Sequence, residues 1–133
     1  MKHLFIIHGL ARANRKKRQL FDRLMAQIDH LEGDVEVQFT DPPEWGAEQI
    51  AREWASRGQP IRIYACGGDG TLNEVVNGAA GHDNAAVTNV PLGTGNDFLK
   101  IFGDDYRALF SDLPALMHGP QAAFDLMDCN GRL

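Results

Sequence analysis

The chain has 133 residues, which is the length of a single globular domain. Its 13 Lys and Arg residues against 18 Asp and Glu residues give a formal net charge of −5, and this acidic balance argues against a nucleic-acid partner. With 44% hydrophobic and 23% charged residues, the composition excludes a disordered chain, a collagen and a disulfide-rich scaffold.

Short apolar runs that are typical of strands alternate with helical patterns along the chain. Leu4–Ile7 predicts a buried strand, and apolar residues at helical spacing follow over 20–31. Apolar and polar residues alternate over Val35–Phe39, which predicts a strand with one face more exposed to water. The strand is expected to end before the following pair of prolines, because proline has no N–H to donate to a sheet hydrogen bond. A second helical pattern over 47–54 completes the first half of the chain.

The second half repeats the same alternation, with a glycine-rich loop after each strand. The strand Ile61–Cys66 runs into Gly67–Thr71, and a helical pattern follows. The strand Ala86–Val90 opens into the second loop, Gly93–Asp97. Two short helices are then predicted up to residue 118, and a last strand-like segment lies at 124–127. This βαβα order predicts an α/β fold, a Rossmann-like three-layer parallel sheet with helices on both faces and ligands at the carboxyl ends of the strands.

The Gly67–Thr71 loop has two features that suit a phosphate ligand. Glycines after a strand permit a positive φ and a close approach of backbone N–H groups, and the N-terminus of the next helix favours anions. The loop is neither a P-loop nor a dinucleotide fingerprint, because its glycines have the wrong spacing. Asp69 would repel phosphates unless Mg²⁺ lies between them; the alternative is a tight turn with Asp69 as the helix cap.

The Gly93–Asp97 loop repeats this design after the next strand. Consecutive parallel strands would bring the two loops side by side at one edge of the sheet, which favours phosphate or polyol binding across both over two coincidental turns. Asn96 and Asp97 could also cap the next helix, and that role is compatible with binding.

Together, the two loops resemble the diacylglycerol kinase catalytic-domain family, which includes bacterial lipid kinases, sphingosine kinases and ceramide kinases. The residues that carry the resemblance are 67–78 and 91–98. The core of the first motif is shared with NAD kinases and more loosely with phosphofructokinases, whereas Asn96-Asp97 after the glycines points to the lipid-kinase branch. The resemblance implies the N-terminal-domain fold of that group and transfer of the ATP γ-phosphoryl group to a lipid hydroxyl such as that of diacylglycerol.

The resemblance also implies roles for individual residues. By this resemblance Asp69 is expected to be the catalytic residue, and Asp69, Asp97 and Asp125 match aspartates that hold Mg²⁺ in the family. The residues that match nucleotide-binding positions are Thr40, Gly67, Gly68, Asp69, Gly70, Thr71, Asn73, Glu74, Gly93, Thr94, Gly95 and Asn96.

The first loop departs from the family pattern, which has Asn-Pro-x-Ser-Gly after the first strand. Here the segment His8–Asn14 has neither the proline nor the serine, although Gly9 keeps flexibility and Asn14 could supply the amide. His8 is interpreted as a strand-end residue rather than a catalytic base. This departure leaves open a nucleotide-binding module without catalysis. An NAD kinase is the other alternative, and the Gly93–Asp97 motif argues against it.

The resemblance also predicts how the chain relates to a complete enzyme. Residues 1–133 are expected to form the nucleotide-binding N-terminal half, with the general base and lipid pocket in a β-rich domain outside this chain. We therefore expect the isolated chain to be inactive. Its last strand, at 125–133, is expected to pair between two chains in a homodimer.

A basic cluster and the two cysteines indicate where in the cell the protein acts. Basic residues cluster over 12–18, either as a solvated helix start or as a contact with ATP phosphates or an anionic membrane surface, where a lipid substrate would be met. Cys66 and Cys129 form no Cys-x-x-Cys pair, so neither a thiolate zinc site nor a disulfide framework is indicated. We expect a cytoplasmic protein that lies peripheral to the membrane.

Overall fold

A computed structural model of the chain describes residues 1–9, 15–40, 46–92, 103, 110 and 112–118, with the backbone alone of residue 17. In chain order, its elements are β1 (Lys2–Ile7), α1 (Arg15–Asp29), β2 (Asp34–Phe39), α2 (Gly46–Ala55), β3 (Ile61–Gly67), α3 (Asp69–Ala79), β4 (Ala85–Pro91) and α4 (Leu113–His118). The first four strands and the first three helices predicted from the sequence are present, with somewhat different bounds.

The four strands form one parallel sheet in the order β2-β1-β3-β4. Ile7 pairs with both Phe39 and Cys66, and Gly67 pairs with Pro91, so the carboxyl ends of all four strands meet at one edge. The chain passes from β1 to β2 on one side and then to β3 on the other side of β1. The gap between β1 and β3 is therefore the topological switch point, where α/β folds bind their ligands.

Helices cover both faces of the sheet because alternate residues of each strand point to opposite faces. Phe5 and Tyr64 face the layer of α1 and α4, where their rings stack with centroids 4.2 Å apart. Ile6 and Ala65 face the layer of α2 and α3. This arrangement confirms the predicted three-layer α/β fold, and burial on both faces explains why β1 and β3 read as continuous apolar runs.

The packing of α2 against α3 depends on small side chains. A Cβ atom on Gly78 would meet the carbonyl oxygen of Glu48 and would lie 2.8 Å from the Cβ of Ala51. Ala51 itself is fully buried. Because the two helices approach this closely, α2 fixes the position of α3 over the sheet and hence the place where α3 begins.

Several predictions fall at the edge of the described residues or beyond it. Pro114 lies in the first turn of α4, where a proline is tolerated because the N–H groups of that turn have no carbonyl partner within the helix. The second glycine-rich loop, the strand-like segment at 124–127 and the final strand lie outside the described residues. The domain boundary and the homodimer stay predictions. Within the described ranges, no helix has the length and apolar character needed to cross a membrane.

Candidate functional site

The carboxyl edge of the sheet is held together by backbone hydrogen bonds that continue past the strand ends. The N–H of His8 donates to the carbonyl of Cys66 at 3.1 Å, and the N–H of Thr40 donates to the carbonyl of Ile7 at 3.0 Å. The N–H of Leu92 donates to the carbonyl of Gly67 at 3.3 Å. These bonds fix the starting points of the loops on both sides of the switch point.

Thr40 anchors the start of the first loop. Its Oγ1 accepts a hydrogen bond of 2.9 Å from the N–H of Gly9, and a Cβ atom on Gly9 would collide with the carbonyl oxygen of Thr40. Gly9 therefore allows the backbone of the first loop to lie close to Thr40, whereas the sequence suggested that Gly9 makes this loop flexible. The Thr40 hydroxyl accepts this bond with a lone pair, so accepting it leaves the hydroxyl hydrogen able to be donated to an anionic oxygen at the same edge.

The turn from β3 into α3 is built differently from the turn that the glycines predicted. Gly68 precedes the helix with φ −93° and ψ −162°, and neither Gly67 nor Gly70 has a positive φ. The expectation of a left-handed backbone in this loop is wrong. The physical reason is steric: a Cβ atom on Gly67 would lie 2.5 Å from Oγ1 of Thr71. Gly67 thus allows the end of β3 to lie directly against the first turn of α3.

The first turn of α3 begins within the segment Gly67–Thr71, which the sequence predicted to be a loop. The helix begins at Asp69 with Gly68 as its N-cap residue, and the N–H of Leu72 donates to the carbonyl of Gly68 at 3.2 Å. The interpretation of Asp69 as the cap is therefore wrong, because Asp69 already lies inside the helix. The N–H groups of Gly70 and Thr71 precede the first hydrogen bond of the helix, so the helix itself offers them no carbonyl partner. They and the positive end of the helix dipole occupy the carboxyl edge beside the switch point, which favours an anionic ligand there.

The remaining predicted residues divide into those that the structure describes and those that it does not. Asn73 and Glu74 lie in α3, one turn behind Asp69, and the carbonyl of Asn73 accepts a bond of 2.8 Å from Nδ2 of Asn77. Gly93, Thr94, Gly95, Asn96, Asp97 and Asp125 lie outside the described residues. Within the described ranges, no group of three or more His, Cys, Asp and Glu side chains could hold a metal ion. The three-aspartate Mg²⁺ set stays a prediction.

Cys66 lies next to this loop without the properties of a reactive thiol. It is fully buried, and this burial raises the pKa of the thiol. A thiol kept protonated in this way is a poor nucleophile. Its position at the end of β3 is therefore explained by packing.

Comparison with known proteins identifies the family. Residues 2–129 match the model of the domain family described as "Diacylglycerol kinase catalytic domain". The chain belongs to this family. The resemblance that the two glycine-rich motifs indicated is thereby confirmed.

Individual relatives agree with the family match. The chain is 38% identical over 87 residues to "Diacylglycerol kinase" of Bacillus subtilis, covering 65% of this chain and 28% of that protein. It is 31% identical over 135 residues to "Probable lipid kinase YegS-like" of Pseudomonas fluorescens, covering 98% of this chain and 38% of that protein. It is also 40% identical over 74 residues to "Diacylglycerol kinase" of Staphylococcus aureus, covering 53% of this chain and 22% of that protein. The chain thus spans well under half the length of the curated relatives that it matches.

Proposed function

We propose that the chain is the ATP-binding domain of a lipid kinase that transfers the γ-phosphoryl group of ATP to a lipid hydroxyl such as that of diacylglycerol. The observation that carries this proposal is the first turn of α3, which Gly67 brings against the end of β3 at the switch point. Catalysis of phosphoryl transfer depends mostly on positioning and on stabilising negative charge. A fixed group of backbone donors at a helix N-terminus supports both requirements.

The phosphate-binding surface extends from α3 to the end of β2. The N–H groups of Gly70 and Thr71 donate to phosphate oxygens, and the hydroxyl of Thr40 donates to the nucleotide from the far side of β1. Because β1 lies between β2 and β3, the ends of those two strands are about 10 Å apart. An extended nucleotide spans such a distance. The hydrogen bond from Leu92 to Gly67 supports a second contact, through Gly93–Asn96, because it holds the residue before Gly93 beside the turn from β3 into α3.

Asp69 is the described residue that suits Mg²⁺. Its carboxylate lies in the first turn of α3, and carboxylate oxygens together with substrate phosphates are the usual ligands of this ion. When bound, Mg²⁺ neutralises the charge on the phosphates. We assign Asp97 and Asp125 to the same ion, and Asn73 and Glu74 to the wall of the nucleotide cleft.

The lipid substrate requires contact with a membrane surface, and α1 offers a suitable patch. Arg15, Lys16 and Arg18 are exposed in its first turns, which follow the first loop. That turn contains no acidic residue, although acidic side chains would suit the helix dipole better. Basic residues near an anionic membrane contribute about 1 kcal/mol each. We therefore propose a peripheral membrane contact through this helix end.

Nucleotide binding can be tested by NMR titration of the 133-residue chain with ADP, in the presence and absence of Mg²⁺. We expect the backbone amides of residues 67–72 and 92 to shift, and the affinity to rise when Mg²⁺ is present. The Asp69→Asn variant is the matched control, since it should bind ADP with little dependence on Mg²⁺. Shifts that map to α2 would contradict the proposed site.

The acceptor can be tested separately from the nucleotide. The relatives are far longer than the region matched here, which supports a general base and a lipid pocket supplied by residues outside this domain. We therefore expect no lipid phosphorylation when the 133-residue chain is incubated with Mg-ATP and dispersed diacylglycerol, and phosphorylation when the longer enzyme is used. Robust phosphorylation by the short chain would refute this division. Phosphorylation of NAD in a parallel reaction would refute a lipid acceptor.

The departure in the first loop favours one second candidate, a nucleotide-binding module that has lost catalysis. His8 and Gly9 replace the start of the Asn-Pro-x-Ser-Gly motif at the switch point. A longer enzyme that binds Mg-ATP normally but phosphorylates neither diacylglycerol nor another lipid alcohol would support this candidate.

A further inference from the structure

An unpaired amide lies in the apolar layer beneath α3. Asn89 of β4 is 1% exposed, and within the part of the chain that the structure describes neither its Nδ2 nor its Oδ1 has a hydrogen-bond partner. An Asn amide can donate two hydrogen bonds and accept two. Burying such a group without partners destabilises the folded state, so its presence calls for an explanation.

The register of the sheet locates Asn89 close to the phosphate-binding turn. Asn89 pairs with Ala65, and two residues further on Pro91 pairs with Gly67. Side chains two residues apart on a strand share a face, so Asn89 faces the same layer as Val87, which packs against the cluster containing Val75 of α3. The amide thus lies between β4 and α3, near the carboxyl ends of the strands.

Thr71 is the candidate partner for this amide in α3. The buried residues of α3 are Thr71, Val75, Gly78 and Ala79, and Thr71 has the one polar side chain among them. Its hydroxyl lies over Gly67, within 2.5 Å of the position a Cβ atom would take there. Asn89 and Thr71 therefore present polar groups to the same layer from β4 and from the first turn of α3.

We propose that Asn89 is a positioning residue that hydrogen-bonds the hydroxyl of Thr71 when nucleotide is bound and so holds the first turn of α3 in its phosphate-binding position. This inference rests on the proposed nucleotide-binding function. A ligand stabilises a conformation only through interactions that are stronger there than in the free state. A hydrogen bond to the amide of Asn89 supplies such an interaction, because its polar atoms have no partner among the described residues of the ligand-free structure.

Asn84 provides a matched control just before the same strand. Its Nδ2 donates to the carbonyl of Ala55 at 2.8 Å and to that of Gln59 at 2.9 Å, so both of its amide hydrogens already have acceptors without ligand. Asn84 ties the start of β4 to the end of α2, at the opposite edge of the sheet from the phosphate-binding turn. Its role is structural, whereas the role proposed for Asn89 depends on nucleotide.

The side-chain amide signals of the unmodified protein give a direct test. In an NMR titration with Mg-ADP, the paired Nδ2 proton signals of Asn89 should shift as the nucleotide saturates the protein. Those of Asn84 should stay in place. An Asn89 signal that does not move at saturation would overturn the proposal, because no new hydrogen bond would have formed.

Two substitutions separate positioning from stability. Asn89→Leu should raise the melting temperature of the free protein by a few degrees, since an apolar side chain of similar shape removes the unpaired amide. The same variant should raise the dissociation constant of Mg-ADP by about five- to tenfold, which corresponds to the loss of one hydrogen bond. Asn84→Leu should do the reverse, lowering the melting temperature and leaving the dissociation constant of Mg-ADP unchanged.

A double substitution tests the route through Thr71. In a Thr71→Val background, Asn89→Leu should cause no further loss of Mg-ADP affinity, because its partner hydroxyl is already gone. Additive losses, or an Asn89→Leu variant that binds Mg-ADP as the unmodified protein does, would overturn the inference while nucleotide binding stands. Failure of the unmodified protein to bind Mg-ADP would instead overturn the proposed function, and this inference with it.

Discussion

The contact between Gly67 and Thr71 predicts that Gly67→Ala will be among the most damaging small substitutions near the site. The new Cβ atom would lie 2.5 Å from Oγ1 and 3.0 Å from Cβ of Thr71. Gly67 has no positive φ, so an alanine there meets no strain from its own backbone conformation. The whole effect must then come from the collision with α3.

The size of the effect follows from the distances. To restore a contact of 3.0 to 3.4 Å, Oγ1 of Thr71 must retreat by about 0.5–0.9 Å. Thr71 is β-branched and 5% exposed in the first turn, so its side chain has few alternative rotamers and the turn itself must move. Overpacking of this kind costs about 1–3 kcal/mol of folding free energy. Displacing the phosphate donors by almost 1 Å should weaken Mg-ADP binding by about tenfold to a hundredfold.

Urea unfolding and calorimetric titration with Mg-ADP measure the two effects. Gly70→Ala is the control for stability, because a Cβ atom there meets nothing within 4 Å and alanine favours a helix. It should be neutral or should stabilise the protein by up to about 1 kcal/mol. In a Thr71→Ala background the cost of Gly67→Ala should largely disappear. A Gly67→Ala variant as stable as the unmodified protein, or an equal cost in both backgrounds, would refute the steric argument.

Three further predictions concern charge, helix packing and pH. Asp69→Asn should leave the melting temperature nearly unchanged and should lower lipid phosphorylation by the longer enzyme about 10²- to 10³-fold in kcat/KM, as measured by initial rates; retained activity would show that Asp69 holds no Mg²⁺. Gly78→Ala should cost about 1–3 kcal/mol in urea unfolding, because the added Cβ atom meets the backbone of α2, and an unchanged midpoint would contradict that contact. Burial and the nearby Arg62 lower the pKa of His3 from 6.5, so the folded state favours the neutral ring. The free energy of unfolding should therefore be unaffected by His3 above pH 6.5. It should decrease as the pH falls below 6.5 toward the lowered pKa, because the unfolded state then binds a proton more readily. Urea midpoints measured on both sides of this range should show the loss, and His3→Gln should reduce it.

The fold could be predicted from the sequence because its signals are local. A strand that is buried on both faces must be apolar along its whole length, as Leu4–Ile7 and Ile61–Cys66 are. Helical spacing of apolar residues fixed the next elements, and the alternation of strands and helices permits few arrangements other than a parallel sheet. The site edge followed from the same reasoning, because glycine-rich loops after parallel strands must share one edge.

The details of the site could not be predicted, because they depend on contacts between distant parts of the chain. Glycine after a strand is compatible with either a left-handed turn or a close approach, and only the position of Thr71 over Gly67 decides between them. The hydrogen bond from Gly9 to Thr40 joins residues that are far apart in sequence. Asn89 reads as one polar residue within a strand pattern, and its burial becomes visible only once α3 is placed over β4.

The three close approaches at Gly9, Gly67 and Gly78 form a connected series that positions the phosphate donors. Gly78 sets α3 against α2, Gly67 sets the first turn of α3 against β3, and Gly9 sets the first loop against Thr40 at the end of β2. Each contact joins an element to its neighbour through backbone or a short side chain, which leaves little freedom for adjustment. A displacement at Gly78 must therefore be transmitted along α3 to its N-terminus. It follows that Gly78, although about two helical turns from the phosphate donors, should influence nucleotide affinity as well as stability.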